Sequence, residues 1–156
     1  MRVYLIQHGQ AKSKEEDPRR GLTDLGIQTT RRQAELFAET NPVIHVIWHS
    51  GKQRALQTAE IFAEALGIPQ RILEHTGLNP DDPPMPLAQE LSSSHHDIMV
   101  VGHLPFLSRL AGVLLSCKED TEPITFTNSA VICLSRTDST WKVDWVLPPE
   151  LIVPIR

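Results

Sequence analysis

The sequence predicts one three-layer α/β/α sandwich spanning residues 1–156, with a mostly parallel sheet and an antiparallel edge. Three observations predict it. Short apolar runs alternate with amphipathic helical segments as far as Leu115, the order that builds a parallel sheet with helices on its faces. The last two apolar runs, near 130–135 and 141–146, flank the turn-rich Thr137-Asp138-Ser139, which signals a hairpin. The chain of 156 residues suits one hydrophobic core, and halving it would leave each part short of apolar surface.

The elements follow in order. Val3 to Ile6 is an apolar run closed by Gln7-His8-Gly9, as expected of a strand buried on both faces. After a charged loop from Ala11 to Gly21, Thr23 is placed to cap a helix reaching about Thr40, with Ile27, Ala34, Phe37 and Ala38 on one face. Pro42 breaks the chain before a second run, Val43 to Trp48. The next helix has the strongest pattern: Ala55, Thr58, Ala59, Phe62, Ala65 and Leu66 fall at offsets 0, 3, 4, 7, 10 and 11, and Gly67 with Pro69 stops it. Arg71 to Leu73 reads as a short strand. Asn79 to Pro86 holds four of the 12 prolines and reads as loop, leading into a helix from Pro86 to Leu91. Asp97 to Val101 is a fourth buried run, and Leu104, Leu107, Ala111 and Leu114 align along a helix from Leu104 to Leu115.

Composition removes several classes of function. A hydrophobic share of 40% and a charged share of 22% describe a folded globular protein. The charge sum, 15 − 19 = −4, argues against a broad electrostatic grip on nucleic acid. No apolar run approaches the roughly 20 residues of a membrane span, and Met1 to Ile6 is too short for a signal peptide. Cys117 and Cys133 read as two buried thiols in a reducing compartment, so a cytoplasmic location is expected.

Ligands of open α/β sheets bind beyond the carboxyl ends of the strands. The first run is followed there by Gln7-His8-Gly9, the second by His49-Ser50-Gly51 with Lys52 and Arg54 opening the next helix, and the fourth by Gly102-His103. His8, His103 and Arg54 therefore converge on one rim, a set suited to acyl or phosphoryl transfer. A neutral imidazole is a competent nucleophile toward phosphorus, and neighbouring cations help keep it neutral. Arginine's planar fork of donors matches phosphate oxygens. Gly9 is expected to clear space beside the nucleophile for a phosphate. His45, His75, His95 and His96 read as ordinary polar residues. His45 and His49 would share a strand face but have no third ligand near in sequence, so no metal and no cofactor are expected. Ser50 reads as a helix N-cap, and Arg19 and Arg20 lie in a run of charges whose default is solvation.

Five segments in order carry a resemblance to a known family. They are Gln7-His8-Gly9; Arg20-Gly21-Leu22-Thr23-Asp24-Leu25-Gly26; Ser50-Gly51-Lys52-Gln53-Arg54-Ala55-Leu56-Gln57-Thr58-Ala59; Gly102-His103-Leu104-Pro105; and Phe126-Thr127-Asn128-Ser129-Ala130. Together they resemble the histidine phosphatase superfamily, whose fold is phosphoglycerate mutase-like, and within it the small phosphohistidine phosphatase (SixA-type) branch. The resemblance implies that His8 becomes phosphorylated and that Arg54 and Arg20 bind the phosphoryl oxygens. It implies that His103 stabilises the transition state, and that Gln7 and Gly9 border the phosphate. The implied substrate is a phosphohistidine-bearing protein or a similar phosphorylated group, handled without metal.

Two features depart from the pattern. The family's first motif has arginine where this chain has Gln7, which keeps an amide donor but loses the charge and the fork. The general acid found in many members after the third strand has only Asp81 and Asp82, between prolines, as counterparts. A weakened catalyst, a phosphate-binding module and a broad phosphomonoesterase using Asp82 or Asp81 are therefore the alternatives to phosphohistidine hydrolysis.

Overall fold

Side-chain alternation along the first strand, β1 (Arg2–Gln7), sets the layers: Val3 and Leu5 enter one core, Tyr4 and Ile6 the other. The computed structural model describes residues 1–116 and 118–149. After β1 come α1 (Asp24–Ala38), β2 (Val46–His49), α2 (Gln53–Leu66), β3 (Ile72–Glu74), α3 (Met85–Ser93), β4 (Ile98–Gly102), α4 (Phe106–Ser116), β5 (Val131–Thr137) and β6 (Thr140–Leu147). The strands lie in the order β3-β2-β4-β1-β5-β6. The first four are parallel, and β5 and β6 are antiparallel, as predicted.

Helices α1 and α2 cover one face through Phe37, Ala55, Ala59 and Phe62, packed on Tyr4, Ile6, Met99 and Val101. Helices α3 and α4 cover the other through Leu87, Leu91, Phe106 and Leu110, packed on Val3, Leu5 and Val100. Strand β4 is buried at every position, and only a strand covered on both faces needs an unbroken apolar run. The side-chain hydroxyl of Thr23 caps α1 as expected, accepting from the Gly26 N–H at 2.9 Å, and Gly67 ends α2 in the left-handed conformation at φ 70°.

Several boundaries differ from the sequence reading. Val43 is 79% exposed and lies outside β2, which begins only at Val46, so His45 and His49 do not share the strand. An apolar residue beside a proline carries no strand signal when nothing pairs with it. Arg71 closes a 3-10 turn (Pro69–Arg71), and the strand begins one residue later. Helix α4 starts at Phe106, leaving Leu104 partly exposed ahead of it. On α1, Ile27 and Ala38 are only half-buried, whereas the polar Thr30 and Gln33 are fully buried. Both bond to the chain around Ser129: Thr30 Oγ1 lies 2.8 Å from Ser129 Oγ, and Gln33 Nε2 donates to the carbonyls of Ser129 (2.9 Å) and Leu147 (2.7 Å). Cys133 is a free buried thiol, pushed up to about 12 by burial; Cys117 lies outside the described residues.

Candidate active site

Strand register builds the site. Gln7 pairs with Gly102 at the carboxyl ends of adjacent parallel strands, so the next residues, His8 and His103, emerge side by side. The His8 N–H donates to the Gly102 carbonyl at 3.1 Å, and the two rings lie 5.0 Å apart at 50°. Strand β2 pairs with β4 on its other side, and Ser50 and the opening of α2 follow it to the same rim, bringing Arg54 into the cluster. Arg20 arrives from the charged loop. Its backbone is left-handed (φ 51°), unusual for a non-glycine residue, and is held by its N–H to the Asp17 carbonyl (2.8 Å) and its Nε to the Lys12 carbonyl (3.1 Å).

The proton on His8 follows from its neighbours. Nδ1 lies 2.7 Å from the Gly9 carbonyl, which can only accept, so Nδ1 carries the hydrogen and Nε2 keeps its lone pair. Burial, aided by the Arg54 and Arg20 cations, brings the ring down to about 4, so it is neutral across physiological pH. His103 is 1% exposed, and burial, then His8, Arg54, Lys52 and Arg20, bring it down to about 3. The side-chain charges that bear on the two rings are the cations Arg54 and Arg20, joined by Lys52 for His103, and no carboxylate among the described residues is one of them. Arg54 is pushed below its ordinary value by burial and by Arg20, yet a guanidinium stays charged at any physiological pH.

Arg54 Nε, His103 Nδ1 and Gln7 Oε1 are buried with no hydrogen-bond partner. Leaving one such buried group unpaired costs about 1–3 kcal/mol, so three in one place single this rim out as a candidate ligand site. A tetrahedral oxyanion offers acceptors to Arg54. The Gln7 oxygen is itself an acceptor, so only a turned amide would present a donor to the same anion.

Backbone ties hold the frame. Asn128 Nδ2 donates to the His8 carbonyl at 2.8 Å, a contact that the sequence left undecided between pocket and turn. Thr58 Oγ1 accepts from the Gly9 N–H at 2.9 Å and donates to the Arg54 carbonyl at 2.8 Å. Neither was singled out for this role, and the only sequence signal was that both fall inside matched motifs.

Three expectations change. A Cβ on Gly9 would meet Thr30 Oγ1 at 2.6 Å and Leu22 Cδ2 at 3.2 Å, so this glycine admits α1 against β1 and does not clear a path for phosphate. Ser50 is not the cap of α2: the cap position is Lys52, without a side-chain bond, and Ser50 Oγ lies 2.6 Å from His103 Nε2. Asp82 is turned into its own loop, its carboxylate accepting from the Asn79 N–H at 2.8 Å, in a cavity shared with His75 and Glu90. Asp81 is exposed beside it. Among the described residues no group of side chains is placed to hold a metal ion.

Residues 3–78 match the family model of the histidine phosphatase superfamily (branch 1). No curated protein sequence matches the chain significantly. Among solved structures, the protein histidine phosphatase SixA complexed with tungstate superposes with a TM-score of 0.87 at 23% identity, covering 98% of this chain and 100% of that one. A mycobacterial glucosyl-3-phosphoglycerate phosphatase in complex with VO3 has a TM-score of 0.72 at 18% identity, covering 92% and 97%. A phosphoserine phosphatase mutant from Entamoeba histolytica in complex with phosphoserine has a TM-score of 0.70 at 14% identity, covering 97% and 99%. At these identities the likeness establishes a shared fold, one that carries substrates of different chemistry in those three proteins.

Proposed function

We propose that this chain, a member of the histidine phosphatase superfamily, removes phosphoryl groups from phosphohistidine through a covalent intermediate on His8. The observation that carries the reading is the state of His8. Its Nδ1–H is bound to a carbonyl, its Nε2 lone pair is free, and the cation Arg54 and the ring of His103 stand around it. Nε2 attacks phosphorus, the bond to the substrate's imidazole nitrogen breaks, and that nitrogen keeps the electron pair and takes a proton from solvent. Water then attacks the phosphorus on His8, the P–Nε2 bond breaks, and inorganic phosphate leaves with His8 neutral again. Arg54 and Arg20 neutralise the oxygens in both steps, where positioning and charge provide most of the catalysis.

The phosphohistidine preference rests on the acid. An alkoxide leaving group needs a proton donor beside it, whereas imidazole leaves well once protonated by solvent. Asp82 is engaged by Asn79, and no carboxylate among the described residues acts on either catalytic ring. Gln7 supports a slower version of the same chemistry, because a buried amide replaces a charge in the first motif. Two assays with and without Asp82→Asn test the reading: release of phosphate from a phosphohistidine-bearing protein and from p-nitrophenyl phosphate, with acid-quenched protein analysed for phospho-His8. The expected result is turnover of the first substrate, weak turnover of the second, and rates within about twofold for the Asp82→Asn chain. Fast ester hydrolysis that collapses in Asp82→Asn would make the protein a phosphomonoesterase instead. Stoichiometric binding without release would make it a phosphate-binding module. The substrate, on this reading, is a protein, and no cofactor takes part.

A further inference from the structure

We propose that Ser50 is a positioning residue that fixes His103 as the Nδ1–H tautomer, so that the second imidazole meets the phosphoryl group as a hydrogen-bond donor. The proposal concerns a proton, and hydrogen-bond stoichiometry settles where it lies. Ser50 Oγ has two neighbours, His103 Nε2 at 2.6 Å and the Lys52 N–H at 3.3 Å. The amide can only donate, which occupies one lone pair of the hydroxyl. If Nε2 also donated, the hydroxyl would receive two hydrogen bonds and its own proton would have no protein acceptor among the described contacts. If the hydroxyl donates to Nε2, every hydrogen in the group is placed, and the ring proton moves to Nδ1.

Nδ1 of His103 is buried without a partner among the described residues. Bearing a proton, it is paired as soon as an anionic oxygen arrives. Bearing a lone pair, it would face that oxygen acceptor against acceptor. The doubly protonated ring is disfavoured by burial and by the neighbouring cations Arg54, Lys52 and Arg20. The two imidazoles thus hold the same tautomer for opposite ends. The Gly9 carbonyl uses the Nδ1–H of His8 and frees the nucleophilic Nε2, whereas Ser50 occupies Nε2 of His103 and frees the donating Nδ1–H. Without the hydroxyl the imidazole is free to rotate or to take the other tautomer, which removes one donor from the oxyanion.

The tautomer is independent of the proposed function, and only its use in turnover rests on that reading. Full-length protein labelled with 15N at histidine is observed near neutral pH, with the His103 resonances assigned by comparison with His103→Gln. The expected spectrum has the hydrogen on Nδ1 of His103. Ser50→Ala is expected to move it toward the Nε2–H form and to lower kcat roughly 10- to 100-fold with KM within about threefold, as for loss of one oxyanion donor. Ser50→Thr is expected to restore both. An Nε2–H His103 in the unmodified chain, or an unchanged tautomer in Ser50→Ala, would overturn the proposal. The expected tautomer in a protein that never forms phospho-His8 would leave Ser50 in its role and remove the phosphatase reading instead.

Discussion

The molecule carries two pairs of neighbouring histidines at opposite ends of β4, one shared with β1 and the other with β2. At the carboxyl rim, His8 and His103 lie 5.0 Å apart, tilted by 50°, one of them fully buried. At the amino rim, His45 and His96, just ahead of β2 and β4, stack at 4.1 Å and 13° and are exposed. The second pair is the closer and the more regular, yet it is open to solvent and neither ring holds a buried polar atom without a partner among the described residues. Proximity of imidazoles is therefore not what makes a site. Burial that keeps the rings neutral, a guanidinium on one side and unpaired donors make it, and those come from elements far apart in the chain.

Breaking the first pair should have the largest effect. His8→Ala is expected to reduce phosphohistidine hydrolysis to the uncatalysed rate and to abolish the phosphoenzyme, while His45→Ala leaves both within about twofold; mass spectrometry and phosphate release check this. Next comes the cation. Arg54→Ala removes a half-buried guanidinium whose Nε is fully enclosed; a buried charge is worth about 2–5 kcal/mol to its partner, so kcat/KM should fall roughly 30-fold to several thousand-fold. Gln7→Arg sharpens the contrast in the other direction. If the amide is the weak member of the cluster, restoring a fork should raise kcat/KM by about tenfold, and a loss of activity would show that Lys52 or Arg20 already holds that place.

The last effect is on stability and leaves turnover near pH 7 untouched. His8 and His103 have folded values near 4 and 3, below the ordinary histidine value. Between about pH 6.5 and 4 the unfolded chain binds protons that the folded chain refuses, so stability falls as pH falls through that window. The slope approaches about 1.4 kcal/mol per pH unit for each ring. Urea unfolding from pH 7 to 4.5 should show it, and His103→Gln should flatten it while His96→Gln does not.

Much of this was legible in the sequence. The glycine stop of α2, the threonine cap of α1 and the ends of β1 and β4 that carry His8 and His103 are local signals and appear as read; the stripe of α2 holds from Ala55 to Phe62, after which Ala63 is buried and Ala65 exposed. What was not legible depends on pairing across the chain. Ser50 and His103 are 53 residues apart, and a serine before a helix gives no hint that its hydroxyl turns to a distant ring. Thr30 and Gln33 carried no signal, because hydropathy does not record that Ser129 pairs with them, almost a hundred residues on. Gly9 was assigned the wrong neighbour for the same reason, since only the folded chain places Thr30 against it. Val43 misled in the opposite sense, an apolar side chain with no strand to join.

The single hydroxyl of Thr58, bonded to the Gly9 amide and to the Arg54 carbonyl, has a mechanical consequence. It ties the His8–Gly9 turn to the first turn of α2, so on the proposed reading the attacking ring and the guanidinium share one anchor, and Thr58→Val would loosen both at once.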